Sequence, residues 1–364
     1  MKYLDEYRQR KLIDHHLEEI AASARGRWTI MEVCGGQTHA ILKHGIDRRL
    51  PEKITLLHGP GCPVCVTPAE TIDQAIEIAS RAGVTLCTFG DMLRVPGSRN
   101  DLMTARARGG DVRMVYSPLE AVALAASNPD QEVVFFAIGF ETTAPVVATA
   151  VLQAQRQNLC NFSILAAQVR IPPAMAAILE MHPGGVNGFL APGHVCAVTG
   201  AQEYSALAQR YHVPIVITGF EPVDLLQGIQ MTVEQLEHGR AELQIQYTRA
   251  VGTQGNQLAR QRVEQVYQTV DRNWRGLGTI PQSGFALRET FARFDAAKRF
   301  NPTTGLPAST DVYCGQVLSG AIKPMACPYF DSECRPDKPL GPCMVSSEGA
   351  CAAYFRYGER RATS

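Results

Sequence analysis

What this 364-residue chain lacks narrows its class first. It has no excess charge: 35 Lys and Arg face 35 Asp and Glu, and no stretch concentrates the basic ones. That removes the electrostatic footprint of a nucleic-acid binder. It has no long apolar run either. Val133–Phe140 and Ala144–Leu152 are far shorter than the roughly 20 residues a membrane helix needs. The opening residues, MKYLDEYRQRKLIDHHLEEI, are charged and helical in pattern, with no apolar stretch to serve as a signal peptide. The expectation is a cytoplasmic protein with no membrane and no nucleic-acid partner. There cysteines stay reduced, and clustered ones bind metal or do redox work more often than they form structural disulfides.

Hydrophobic residues make up 45% and charged residues 19%, ordinary for a globular protein long enough for two or three domains. The 11 cysteines are not ordinary. Cys34, Cys62 and Cys65 lie near the front, and Cys314, Cys327, Cys334, Cys343 and Cys351 lie near the end. Only Cys87, Cys160 and Cys196 are scattered between, as buried structural cysteines would be. Clusters beside Gly, Pro and His point to metal or redox chemistry.

Short apolar strands alternate with helical stretches over the first two thirds. Strands are expected at Trp28–Val33, Ile54–His58, Val84–Phe89, Val112–Tyr116, Val133–Ile138, Phe162–Gln168, Val186–Ala191 and Pro214–Thr218. Helices such as Ala69–Arg81, Ala144–Gln157 and Ala201–Tyr211 lie between them. This rhythm implies α/β structure with parallel sheets, as one large sheet or two smaller ones. An internal echo favours two: Phe135–Thr142 resembles Ile215–Pro222, each a strand followed by Gly-Phe-Glu and a helix start. Two similar β-to-α turns would read the same way. The expected division is 26–118, 119–231 and 232–364, the last joined by the helix in 1–25. Beyond Thr232 helices are expected at Gln257–Tyr267 and Leu287–Ala297. After Asn301 the chain is rich in Gly, Pro and Cys, and such a segment needs a staple to hold one structure.

Cys62-Pro63-Val64-Cys65 follows a strand, with Thr67 as an N-cap, Pro68 in the first turn and Glu70 completing a capping box. The pair therefore sits before a helix N-terminus, which favours thiolate and lowers the cysteine pKa. It reads as a redox pair, with half a zinc site as the alternative. Cys34 ends the first strand before Gly35-Gly36, where backbone and ligand approach closely, and Gln37, Thr38 and His39 add polar groups. It could be a nucleophile, a metal ligand or an inert thiol. In a parallel fold Cys34, Cys62 and Cys65 should share one sheet edge. The C-terminal five run C-x12-C-x6-C-x8-C-x7-C, without the close pair of a usual structural zinc site. Loose thiolate spacing in a Gly/Pro-rich segment suits an iron–sulfur cluster, with zinc or disulfides as alternatives. Four ligands from five cysteines leave one over. His194, in Ala191-Pro192-Gly193-His194-Val195, is a ligand, a proton carrier or a satisfied turn histidine.

MEVCGGQTHA, HGPGCPVCVTP, CTFGDMLRVPG, GFETT, APGHV, GFEPVDLLQG and GPCMVSSEGACAAY resemble the hydrogenase maturation protein HypD family, from about Met31 to Tyr354. The resemblance implies two Rossmann-like parallel-sheet domains around a cleft and a C-terminal domain holding a [4Fe–4S] cluster. It implies a role in assembling the Fe(CN)2CO unit of [NiFe]-hydrogenases. The implied partners are the small chaperone HypC and HypE, which delivers cyanide made from a carbamoyl precursor supplied by HypF. The hydrogenase large subunit is an indirect partner. On this resemblance Cys34 ligates the iron, Cys62 and Cys65 do thiol redox work, and Cys314, Cys327, Cys334 and Cys351 hold the cluster. His194 and the Gly139–Thr143 loop with Glu141 line the cleft. Some relatives carry a further cysteine two residues before Cys314, where this chain has Val312. Cys343 therefore has no obvious disulfide mate and is a free thiol or a substitute cluster ligand. A free-standing iron–sulfur thiol-disulfide reductase is the competing enzyme reading, and a zinc-stabilised binding protein the third.

Overall fold

The computed structural model describes residues 5–303 and 311–358. Eleven strands form among them: β1 (Trp28–Glu32), β2 (Ile54–His58), β3 (Val84–Thr88), β4 (Asp111–Met114), β5 (Glu132–Ala137), β6 (Phe162–Ala166), β7 (Gly188–Pro192), β8 (Ile215–Thr218), β9 (Leu243–Ile245), β10 (Tyr267–Trp274) and β11 (Gly278–Leu287). The first nine make two all-parallel sheets, of order β2-β1-β7-β8-β9 and β4-β3-β5-β6. Their apolar, β-branched runs suit strands covered on both faces. The echoed turns fall one in each sheet, after β5 and after β8.

The expected boundary at 118/119 does not match these sheets. It falls between β4 and β5, which share the second sheet. The first sheet takes β1 and β2 from one stretch of chain and β7 to β9 from another. The chain leaves the first sheet after β2, builds the whole second sheet, and returns to pair β7 beside β1, Met31 opposite Phe189. The helix Arg10–Ser23 does not join the C-terminal region either. Its Leu17 and Ile20 pack with Ile30, Ile54, Leu190, Leu225 and Leu226 under the first sheet, because its apolar face is complementary to the helix Pro222–Glu237 there.

Residues 232–364 are likewise not one unit. β9 extends the first sheet, while β10 and β11 form an antiparallel hairpin against the second. That hairpin puts Tyr267, Phe285 and Leu287 into the core with Phe135 and Phe162. The Tyr267 hydroxyl donates to Gln168 at 2.8 Å. The expected helix over Leu287–Ala297 is instead the end of β11, a 3-10 turn at Glu289–Phe294 and a short helix from Ala296. The cysteine-rich lobe, 311–358, has no core of its own. Val317, Cys343, Met344 and Tyr354 join one cluster with Met31, Phe189, Ile217 and Trp274.

Candidate functional site

The carboxyl edge of the first sheet carries the chemistry in spatial order. Open α/β sheets place ligands there, at the point where strand order reverses. β2 ends at His58 and leads to Cys62 and Cys65; β1 leads to Cys34, β7 to His194, and β8 to Phe220.

Glycines hold the Cys34 turn against the Cys62 turn. A Cβ on Gly61 would stand 2.2 Å from the Cys34 nitrogen, and the Gly35 N–H donates to the Gly61 carbonyl at 2.8 Å. A Cβ on Gly35 would meet Glu348 at 2.5 Å, so the cysteine-rich lobe closes directly onto this turn. Beneath it lies Glu32, fully buried, whose carboxylate accepts from the Cys34 N–H at 2.8 Å, from Thr38 Oγ1 and from His58 Nδ1 at 2.7 Å. Gln37 Nε2 ties the first turn of the next helix to the Ala191 carbonyl and Thr218 Oγ1, joining the ends of β1, β7 and β8. Burial, reinforced by Glu32 and Glu348, pushes the Cys34 thiol up to about 12.

Cys62 caps a helix of only four residues, Pro63–Val66, its sulfur accepting from the Cys65 N–H at 3.3 Å. The expected capping box does not form. Thr67 Oγ1 turns back to the Pro63 carbonyl at 2.8 Å, and Glu70 pairs with Asn273. Nor is the Cys65 thiol poised as thiolate: burial, with hydrogen bonds to Cys343 and Cys62, raises it well above the ordinary thiol range. Desolvation outweighs the partial charge of one helical turn.

All five C-terminal cysteines line one small cavity of about 30 Å³ with Tyr313, Tyr329 and Leu340. Cys314 lies on the helix Asp311–Leu318, Cys327 and Cys334 on tight turns, Cys343 on a 3-10 turn, and Cys351 at the start of the helix Ala350–Tyr357. Cys334 Sγ accepts the Leu340 N–H at 3.4 Å. Burial raises the Cys334 thiol against that hydrogen bond, and neighbouring Cys314 and Cys327 add to the shift. The Cys343 hydrogen bond pulls the Cys351 thiol down, but burial and neighbouring Cys314, Cys334 and Cys327 leave it raised. The donor set, soft thiols sharing one apolar cavity, fits an iron–sulfur cluster in kind and place. Among the described residues, no three His, Cys, Asp or Glu side chains are drawn close enough to hold a single metal ion. Cys343 hydrogen-bonds to Cys314 and Cys351 on one side and to Cys65 on the other.

His194 stacks on Phe220 with ring centroids 3.9 Å apart and planes at 26°, and burial lowers its pKa. Phe220 leans over Gly36: a Cβ there would stand 3.2 Å from its ring and 3.9 Å from the Cys34 sulfur. Glu141 lies elsewhere. It opens on a different cavity of about 220 Å³, with Arg170, Glu203 and Arg260. Its Oε1 accepts the Ile171 N–H at 2.9 Å, and burial pushes its carboxyl up to about 7. Burial raises the Cys196 thiol well above its ordinary range, against a hydrogen bond from Tyr204. Glu32, His58, Glu348 and Tyr247 complete the site. The sequence signal for the first two was a charged or polar residue closing each of two apolar strands, in register as Glu32 opposite His58.

A model for the HypD family, described as the hydrogenase formation hypA family, matches residues 11–358. The chain belongs to the HypD family of hydrogenase maturation factors. It is 50% identical to the hydrogenase expression/formation protein HupD of Azotobacter chroococcum mcd 1, over 99% of this chain and 98% of that one. It is 49% identical to the maturation factor HypD of Azotobacter vinelandii, with the same coverage. The HypD of Escherichia coli K12 is 45% identical over 99% of both chains. Among solved structures, a glucose-galactose binding protein from Geobacillus stearothermophilus is 12% identical, with a TM-score of 0.19 over 63% of this chain. No helix among the described residues of this HypD-family chain is long and apolar enough to cross a membrane.

Proposed function

We propose that this HypD-family chain is the scaffold on which iron receives its cyanide and CO ligands, with Cys34 as the iron anchor. One observation carries the reading: Cys34 stands at the switch point of the first sheet, between the Cys62/Cys65 pair and the His194/Phe220 pair, with the cysteine-rich lobe closed against it. The small chaperone HypC is the partner that shares the iron, HypE the cyanide donor, and a hydrogenase large subunit the eventual recipient, in the cytoplasm.

The chain's own residues give the chemistry its setting. Glu32 fixes the Cys34 backbone through the Cys34 N–H, so the thiol projects from a rigid turn. That thiol is protonated at neutral pH, and iron binding therefore releases one proton as the thiolate forms. Thiolate suits a low-spin iron carrying cyanide and CO. Phe220 leans over Gly36 beside the sulfur, on a side where excluding water would protect reactive intermediates. Cys314, Cys327, Cys334 and Cys351 would hold a [4Fe–4S] cluster, which when bound supplies single electrons. Cys62 and Cys65 would act as a dithiol, reached through Cys343.

Hydrogenase maturation in cells tests this. Cys34→Ala abolishes it while fold and brown colour persist; full maturation by Cys34→Ala contradicts the anchor. Cys62→Ala/Cys65→Ala also blocks it, and full maturation there removes the dithiol role. Cys314→Ala bleaches the protein. Cys343→Ala keeps the colour, and bleaching would make Cys343 a ligand. A second reading, a free-standing iron–sulfur thiol-disulfide reductase, draws on the same thiol line from Cys62 through Cys65 to Cys343. It predicts turnover of a disulfide substrate that does not depend on Cys34.

A further inference from the structure

We propose that Tyr247 and Arg249 are positioning residues for the Cys34 site, forming a strap that holds the stacked rings of His194 and Phe220 in place beside it. The placement stands on geometry alone; its use in assembly rests on reading Cys34 as the iron anchor.

The strap is the stretch following β9. The Gln246 and Tyr247 N–H groups both donate to the Ile217 carbonyl, at 2.9 and 3.2 Å, which lays the chain across the ends of β7 and β8. Gln246 Oε1 accepts the Gly219 N–H at 3.1 Å, and its amide nitrogen donates to Asp224 at 2.9 Å. The Tyr247 ring then enters a slot between two glycines. A Cβ on Gly193 would come within 2.6 Å of that ring, and one on Gly219 within 2.7 Å. These glycines immediately precede His194 and Phe220. Tyr247 therefore wedges between the two turns that present the stacked pair, and it meets both rings steeply, Phe220 at 6.0 Å and 85° and His194 at 6.4 Å and 61°.

Arg249 locks the wedge. Its guanidinium lies 4.5 Å from the Tyr247 ring centroid and 3.9 Å from that of Tyr7. It also forks onto Asp224, Nη1 to Oδ1 at 2.7 Å and Nη2 to Oδ2 at 2.5 Å. Asp224 is fully buried in the first turn of the helix that follows Phe220, and it accepts from the Glu221 N–H. The planar fork supplies geometry that a lysine would not. The orientation of the His194/Phe220 pair thus depends on residues more than 25 positions beyond Phe220 and more than 50 beyond His194.

The test reads histidine ring protons by NMR in the full chain, with His194 assigned by the signal lost in His194→Gln. Stacking on Phe220 shifts those protons upfield. Tyr247→Leu and Arg249→Lys should move them toward the values of exposed histidines, whereas Tyr247→Phe keeps them. The signals of buried His58 report that the fold persists. Arg249→Lys, which keeps the charge beside Asp224, carries the test if Tyr247→Leu does not fold. In the complex with the small chaperone, the infrared bands of iron-bound cyanide and CO should fall roughly tenfold or more in both variants, and stay within about twofold in Tyr247→Phe. Unmoved His194 signals in folded Tyr247→Leu or Arg249→Lys overturn the placement. Moved signals with undiminished bands overturn the functional role. If the wild-type complex shows no bands, the iron reading fails, and the role in assembly with it, while the ring signals still decide the placement.

Discussion

The same three residues, Gly-Phe-Glu, follow β5 and β8, and the two sheets use them in opposite ways. After β5, Phe140 turns inward against Trp274, with centroids 6.2 Å apart, and Glu141 is buried under the Ile171 N–H. After β8, Phe220 lies at the site beneath His194, and Glu221 reaches outward to Arg8. The backbones differ at the glycine: Gly139 has φ +156, where an added Cβ would collide with Thr143, while Gly219 stays out of the positive-φ region and is crowded by Tyr247 and Asp224. The tripeptide specifies a strand-end turn. Which way its side chains face is decided by what packs on it, the hairpin in one case and the strap after β9 in the other.

The comparison is broken or sharpened most strongly at the phenylalanines. Phe140→Ala should cost about 3–5 kcal/mol by urea unfolding, as for a large core aromatic. Phe220→Ala should cost about 1 kcal/mol or less and leave the fold intact while weakening iron loading. Equal costs would mean that both rings are core.

The glutamates come next. Glu141 is raised from 4.5 to about 7 by burial, so the folded chain holds a proton that the unfolded chain releases. Its favourable contribution is complete below the unfolded value and is lost as pH rises toward 7, a change of order 3 kcal/mol. Glu141→Gln should flatten that slope and be the more stable form above pH 7, measured by denaturant midpoints from pH 5 to pH 8. A slope unchanged in the variant would assign it to other groups. The smallest effect belongs to Glu221→Gln, whose partner Arg8 is 48% exposed. Its loss should leave the denaturant midpoint essentially unchanged, and a clear fall would show that the pair anchors the N-terminal turn.

Strand-helix alternation and the cysteine motifs were legible in the sequence, because strand periodicity and Gly-Pro-Cys runs are local. The pairing of β7 with β1 was not, since register between distant strands is fixed by the helices packed on their faces. The β10–β11 hairpin was not legible because most of β10 between Tyr267 and Trp274 is exposed or half-exposed and polar, without a clean alternation. The capping box at Thr67 matched the motif yet lost to a competing acceptor, the Pro63 carbonyl. The expected low pKa of the dithiol reversed for Cys65 because helix termini are visible in sequence and burial is not. Tyr247 and Arg249 were not legible, because Tyr7, Asp224 and the glycines before His194 and Phe220 lie in distant turns that only the fold brings to them.

The most direct measurement is an infrared spectrum of the anaerobically purified complex with the small chaperone, for wild type and Cys34→Ala. Iron-bound cyanide and CO absorb where protein is silent. The account predicts bands in the wild type that vanish in Cys34→Ala with fold and cluster colour retained. Bands that persist in the variant, or a wild type that shows none with its cluster intact, would contradict it.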